Sequence, residues 1–327
     1  METRPLGASG IEATVIALGT WPAGGWMWGG TDTEEALRAM QVAIDEGITL
    51  IDSAPVYGLG QAEELVGRAI QGRPREDVVI ATKCGLVWHV EKGEYKMDER
   101  GEKIHLYLGP ESIRHEVKES LSRLQVETID LYQTHWQDET TPIAKTMETL
   151  MALKAEGKIR AIGASNVELR HIEEYCKAGQ LDAVQQKYSM LDRDQEKEIL
   201  PYCREHNIAF LAYSPLALGL LTGKIGPERE FAGDDTRNNR ERFSTENRKK
   251  VLRLLDEIKP IADRYGATIA QTVIAWTAAQ PGVTHVLCGS RKAQKKKKNA
   301  KAGDMLLAED EVQAINDLLS EHASDIL

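Results

Sequence analysis

Four polar residues stand where apolar runs stop. Asp52 closes Ile48 to Ile51 in IDSAPVYG, which also carries Tyr57. Lys83 closes Val78 to Ala81 in VVIATK, and His135 follows Ile129 to Tyr132 in LYQTHWQD. An apolar run that ends in an ionisable group reads as a buried strand with chemistry at its carboxyl tip, the rim where α/β barrels build active sites. A Lys beside a Tyr is expected to lower the phenol's pKa and make it a usable acid, with Asp balancing the Lys charge. A His at the same rim can hydrogen-bond an oxygen on which negative charge develops. Together these groups suit proton donation to a carbonyl.

The rest of the chain supplies elements able to carry them. Apolar runs at Val15–Leu18, Leu50–Asp52, Val78–Thr82, Ile129–Tyr132, Ala161–Gly163, Ala183–Gln185, Ala209–Ala212 and Val286–Gly289 read as strands. Amphipathic stretches lie between them, at Asp32–Glu46, Gln61–Ile70, Gly109–Leu124, Pro142–Glu156, Val167–Lys177 and Asp194–His206, with a further helix near Ile258–Ala279. The first carries Ala36, Leu37, Met40, Ala43 and Ile44 at helical spacing, and Thr33 ahead of Glu34 and Glu35 reads as its cap. Alternation of this kind implies parallel pairing through crossovers, and eight units imply closure. The fold class is therefore α/β, a (β/α)8 TIM barrel over residues 1–327 as a single domain, with an amino-terminal β-hairpin (Thr3–Leu6, then Ile11 onward) and two long rim loops. One loop runs from Gly85 to Leu108; the other separates the seventh and eighth strands and includes the charged stretch Glu228–Lys250. Loops of that length are usually functional or mobile.

Charge and composition narrow the partners. With 41 basic and 51 acidic side chains the net charge is −10, which argues against nucleic acid or an anionic membrane. Any anionic cofactor must then be met by local cations. Cys84, Cys176, Cys203 and Cys288 are scattered without metal-ligand spacing and read as buried structural thiols in a reducing compartment. No apolar run approaches the ~18 residues of a membrane span. The expectation is a cytoplasmic protein, with self-association left open.

The combined motifs IDSAPVYG, HWQD with Thr141-Pro142, GKIRAIGASN and AYSPL resemble those of the aldo-keto reductases, particularly the bacterial reductases that include general stress protein 69 and the sugar- or inositol-associated members. The resemblance implies that Asp52, Tyr57, Lys83 and His135 form a catalytic tetrad, and that the hairpin plugs the amino-terminal end of the barrel. It implies that Ser165, Asn166 and Gln186 hold the nicotinamide carboxamide, that Tyr213 stacks under the ring, that Thr20 and Trp21 lie near its ribose, and that Asp52 also belongs to the cofactor-binding set. Leu216, Gly219, Leu220 and Lys224 correspond to the loop over the pyrophosphate, and Gly289, Ser290 and Arg291 to the adenosine-phosphate site. Arg291 can pair with a 2′-phosphate, so NADPH is the expected cofactor. The chain departs from the family pattern at Lys295-Lys296-Lys297-Lys298. Lys295 and Lys298 take positions that in relatives help contact adenosine, Asn299 is retained, and Lys296 falls where an apolar helix face is expected.

No G-x-G-x-x-G follows a strand, which excludes a Rossmann site. Of the six tryptophans, Trp21, Trp26, Trp28, Trp88 and Trp136 lie at strand tips or in rim loops, and with Tyr107 they are candidates for a pocket wall. The substrate-binding set is taken as Trp21, Tyr57, Trp88, His135 and Trp136. These expectations converge on NADPH-dependent reduction of a sugar-derived or other small aldehyde or ketone. The alternatives are a sugar or inositol dehydrogenase working mainly in oxidation, and a cofactor-binding regulatory subunit without significant turnover.

Overall fold

The computed structural model describes residues 1–327 except Trp26, Ala232, Asp234, Ala323 and Ser324. A hairpin of β1 (Thr3–Pro5) and β2 (Glu12–Thr14) opens the chain. The barrel strands are β3 (Ile16–Gly19), β4 (Leu50–Asp52), β5 (Val79–Cys84), β9 (Ile129–Thr134), β10 (Ile159–Ser165), β11 (Ala183–Lys187), β12 (Ala209–Tyr213) and β13 (His285–Gly289). They pair in parallel in that order, and β13 returns to β3 to close the ring. The strands between, β6 (Leu86–Val87), β7 (Glu94–Glu99) and β8 (Glu102–Leu106), form a separate antiparallel sheet. Each of the eight strands predicted from the sequence is present, and six of them run one or two residues further at the carboxyl end.

Small and branched side chains divide the barrel into two cores. Ala17, Leu50, Val79, Ala81, Leu131, Ala161, Ala183, Ala209, Leu211 and Leu287 point inward and pack with Leu6, Ile11 and Ala13 of the hairpin. The hairpin therefore closes the amino-terminal end, and the rim at the carboxyl ends is left for chemistry. The alternate residues, such as Ile16, Leu18, Ile80, Ile162 and Val184, pack outward against the helices. These are α1 (Thr33–Asp45), α2 (Gln61–Ile70), α3 (Pro110–Leu124), α4 (Ile143–Ala155), α5 (Leu169–Ala178), α6 (Ile199–Glu205), α7 (Thr245–Arg264), α8 (Ile269–Ala279), α9 (Ala293–Lys301) and α10 (Glu309–His322). Among the described residues no helix is long and apolar enough to cross a membrane.

Four local expectations need correction. Thr33 is the first helical residue, and the cap is Asp32, whose carboxylate accepts from the Glu35 N–H at 2.9 Å. The helix expected near 258–279 is two, α7 and α8, broken where Gly266 takes φ +58° and Thr268 with Gln271 forms a capping box. The stretch 228–250 is accordingly not all loop, because α7 begins at Thr245. The first rim loop is no irregular excursion either, since most of 85–108 is the β6–β8–β7 sheet.

Candidate active site

Asp52, Lys83 and His135 come from the ends of β4, β5 and β9, and Tyr57 from the turn after β4. The barrel brings all four together. The Lys83 ammonium donates to Asp52 Oδ1 at 2.7 Å and to the Ser53 carbonyl at 2.8 Å, with both side chains almost fully buried. Its Nζ lies 5.3 Å from the centre of the Tyr57 ring. The Tyr57 and His135 rings meet edge to face, 5.7 Å between centres. A buried carboxylate needs partners for both oxygens. Asp52 Oδ2 finds them in the amides of Gln185 (2.8 Å) and Gln133 (3.2 Å), inward-facing residues of β11 and β9. Sequence reasoning missed both glutamines. Their signal was weak, because IDLYQT and AVQQK each hold further polar residues and neither glutamine stands out.

Electrostatics at this centre differ from the expectation of a lowered phenol. Burial, followed by the Asp52 charge, holds the Tyr57 phenol well above its ordinary range, and the Lys83 ammonium 5.3 Å from the ring centre does not outweigh them. Burial lowers Lys83, with Asp52 opposing the shift. Burial and then Lys83 push His135 well below the usual imidazole value, so its ring is neutral near pH 7. The centre thus pairs a fully protonated phenol with a neutral imidazole.

A second set of contacts runs along the neighbouring strand tips. Asn166, with φ +55°, donates to the His135 carbonyl (2.9 Å) and to Ser165 Oγ (3.0 Å), and accepts from the Tyr213 hydroxyl (2.7 Å). The Gln186 amide donates to the Val167 carbonyl. Thr20 is buried, its N–H donating to the Asp52 carbonyl and its hydroxyl to Ser53 Oγ, both at 3.0 Å. Trp21 lies 6.5 Å from Tyr57 and 5.3 Å from Trp28, centre to centre.

Comparisons with known proteins identify the family of the chain. The model of the aldo/keto reductase family matches residues 15–320. This chain belongs to the aldo-keto reductase family. It is 42% identical over 314 residues to the NADH-specific methylglyoxal reductase of Escherichia coli (strain K12), covering 94% of this chain and 95% of the relative. Its fold matches the glycerol dehydrogenase AKR11B4 of Gluconobacter oxydans with a TM-score of 0.88 at 38% identity, over 99% of this chain and 97% of that one. A Klebsiella pneumoniae aldo-keto reductase in complex with NADPH matches with a TM-score of 0.73 at 27% identity, over 98% and 96%. The protein is accordingly a nicotinamide-dependent oxidoreductase.

The described residues fit such a cofactor in this reductase. After β12 the backbone of Ser214, Ala217, Leu218 and Gly219 has positive φ, strain of a kind that collects at ligand clamps. This is the segment of Leu216, Gly219 and Leu220, with Lys224 just beyond. The charges of Lys224, Lys292, Arg237 and Arg291 all bear on Lys295, lowering its pKa after partial burial has done so. Five cations crowding one rim in a chain of net charge −10 suit a polyanion. Lys298 is exposed on the same helix and is not among the groups that shift Lys295. Ser290 Oγ accepts the Lys292 N–H at 3.2 Å, Gly289 ends β13, and Asn299 is buried on α9. Nearby, the Trp28 indole N–H and Thr31 hydroxyl are buried without hydrogen-bond partners among the described residues.

The stretch after residue 228 reaches over the same ground. The Thr236 N–H donates to the Met27 carbonyl at 3.1 Å, and Arg237 lies over both Trp28 (5.4 Å) and Phe231 (4.2 Å) while bonding Asp235. Arg291 donates to the Gly30 carbonyl. On the other side of the rim, Lys96 of β7 lies 5.0 Å from the Trp136 ring and Lys92 lies 5.9 Å from that of Tyr107. Trp88 is half-buried; it packs beside Val56 and Leu86 and also lines an outer cavity with His115 and Arg123. Trp26 lies outside the described residues. Among the described residues no group of His, Cys, Asp or Glu could hold a metal ion.

Proposed function

We propose that this reductase uses NADPH to reduce a small aldehyde or ketone, favouring sugar-derived carbonyl compounds, with residues 1–327 acting as one barrel unit. When bound, the cofactor supplies a hydride to the carbonyl carbon. His135, neutral at working pH, hydrogen-bonds the carbonyl oxygen and orients it. Tyr57 gives that oxygen its hydroxyl proton as negative charge grows. Its raised pKa keeps the proton in place until then, and Lys83 beside the ring stabilises the phenolate left behind. Asp52, held by Gln133 and Gln185, anchors Lys83. Ser165, Asn166, Gln186 and Tyr213 would hold the nicotinamide. Leu216, Gly219, Leu220 and Lys224 would cover the pyrophosphate, and Gly289, Ser290, Arg291, Lys295, Lys298 and Asn299 would take the adenosine end.

The observation that carries this reading is the buried Lys83–Asp52 pair against the Tyr57 ring, with His135 edge-on to it. The five-cation rim supports the 2′-phosphate of NADPH, although the E. coli relative is named NADH-specific. The Gluconobacter neighbour favours a second reading, in which a polyol is oxidised. Steady-state rates with NADPH and NADH against sugar aldehydes, methylglyoxal and simple aldehydes, and with NADP+ against polyols, decide between them. Reduction of sugar aldehydes with the highest kcat/KM is expected. Turnover confined to polyol oxidation would overturn the first reading.

A further inference from the structure

The inserted β6–β8–β7 sheet is tied to the Tyr57 turn by more than packing. Leu86, Ile104 and Leu106 form a small core with Ala54 and Val56, against which Tyr57, Leu59, Trp88 and Met97 pack. From this base the β7–β8 turn reaches the backbone that follows Tyr57. Glu99 pairs with Glu102 across a two-residue turn, Arg100-Gly101, in which both residues have positive φ (51° and 89°). Such turns favour Asn-Gly or Gly-Gly. An Arg in the left-handed region is strained, so its side chain is worth following.

That side chain ends on three acceptors. Arg100 donates to the Gly58 carbonyl (3.2 Å), the Gly24 carbonyl (3.0 Å) and Gln61 Oε1 (3.1 Å). Glu99, fully buried, accepts the Gly58 N–H at 3.0 Å on Oε1, while its Oε2 has no partner among the described residues. Gly58 is therefore held at both its N–H and its carbonyl by adjacent residues of one turn. The segments so joined meet backbone to backbone. A Cβ on Gly24 would lie 2.6 Å from the Tyr57 carbonyl carbon, and one on Gly58 would lie 2.6 Å from the Gly24 oxygen. Three separate parts of the chain, the turn after β3, the turn after β4 and the inserted hairpin, are thus locked together one peptide away from Tyr57.

We propose that Glu99 and Arg100 are positioning residues for carbonyl reduction, gripping the Gly58 peptide and so fixing the aim of the Tyr57 hydroxyl beside His135. The proposal rests on the reading of Tyr57 as proton donor. Neither residue touches the reacting atoms; both act through the backbone. A displacement near 1 Å at a reacting group can cost on the order of a hundredfold in rate. Arg100 and Arg291 hold the loop after β3 at separate points, Gly24 and Gly30, and neither Glu99 nor Arg100 is among the charges that bear on Lys295, so loss of the grip should reach kcat with little effect on cofactor affinity.

The test compares Arg100→Ala, Glu99→Ala and Glu99→Gln, singly and in a Tyr57→Phe background. The readouts are kcat and KM for an aldehyde substrate, the cofactor Kd by fluorescence titration, and thermal melts to confirm folding. Arg100→Ala and Glu99→Ala should lower kcat about ten- to a hundredfold and leave the cofactor Kd within about twofold. Glu99→Gln, whose amide oxygen still accepts from Gly58, should recover most of kcat. In the Tyr57→Phe background Arg100→Ala should change the residual rate little, because the aim of a lost phenol no longer matters. Wild-type kcat in both alanine variants, beside an inactive Tyr57→Phe, would overturn the proposal. So would full additivity in the double variant, which signals a merely structural role. If Glu99→Ala does not fold, Arg100→Ala decides alone, since its side chain is exposed. A Tyr57→Phe enzyme that keeps its turnover would instead overturn the reading beneath the proposal.

Discussion

Lys296→Met should make the protein more stable near neutral pH. Lys296 is 2% exposed, on the buried face of α9, and among the described residues its ammonium nitrogen donates only to the carbonyls of Gly19 (3.3 Å) and Cys288 (3.2 Å). Burial lowers its pKa from 10.5 to about 7, opposed only by Cys288, whose own thiol burial pushes up to about 12. At 1.36 kcal/mol per pKa unit this corresponds to a penalty of about 5 kcal/mol at most. Relaxation and two lost hydrogen bonds of about 1 kcal/mol each reduce the expected gain to about 2 kcal/mol. In a chain of this size that is a rise in Tm of about 3 °C. The sign follows from linkage. Between about 7 and 10.5 the unfolded chain holds a proton that the folded chain does not, so stability from this group climbs with pH and is lost as pH falls through 7. The advantage of Lys296→Met should therefore be greatest below pH 7 and fade toward pH 10.5. Thermal unfolding followed by circular dichroism from pH 6 to 10, on nucleotide-free protein, reads it. An unchanged or lower Tm at pH 6.5 would refute the reasoning, as would a gain independent of pH.

Glu116→Gln should show the opposite trend. Burial raises the Glu116 carboxyl to about 8, although it accepts the Gly85 N–H at 2.9 Å. Its folded pKa lies above the unfolded 4.5, so its contribution is complete below 4.5 and lost as pH rises through 8. The variant should gain on wild type over that window, by on the order of a few kcal/mol, and denaturant midpoints at pH 5 and 9 would show it. Arg291→Ala should weaken NADPH about ten- to a hundredfold more than NADH, the value of a charge-assisted contact. Fluorescence titration with each cofactor checks this, and equal losses would mean that Arg291 holds the Gly30 loop or the pyrophosphate instead.

How far the sequence could be read depended on burial. The barrel strands were legible because each is buried on both faces, leaving an apolar run that stops at the rim. Their polar terminal residues then marked the site. Strand β7, EYKMDE, is largely exposed and charged, so it carried no such signature, and the sheet built on it passed for a loop. The break between α7 and α8 was hidden because apolar residues continue on both sides of it, around the left-handed Gly266 and the Thr268–Gln271 capping box. Gln133 and Gln185 became meaningful only once closure turned them toward Asp52. Lys296 conflicted with the pattern of its helix, and the conflict is real: the lysine is buried where an apolar side chain would serve.

The central claim is that Tyr57 is the proton donor. Tyr57→Phe removes one hydroxyl and leaves the ring contacts with Trp21 and His135 in place. Turnover with NADPH and an aldehyde should fall by about 10² to 10⁴, while the NADPH Kd stays within about twofold. An enzyme retaining most of its kcat, or one whose loss tracks weakened cofactor binding, would contradict the account.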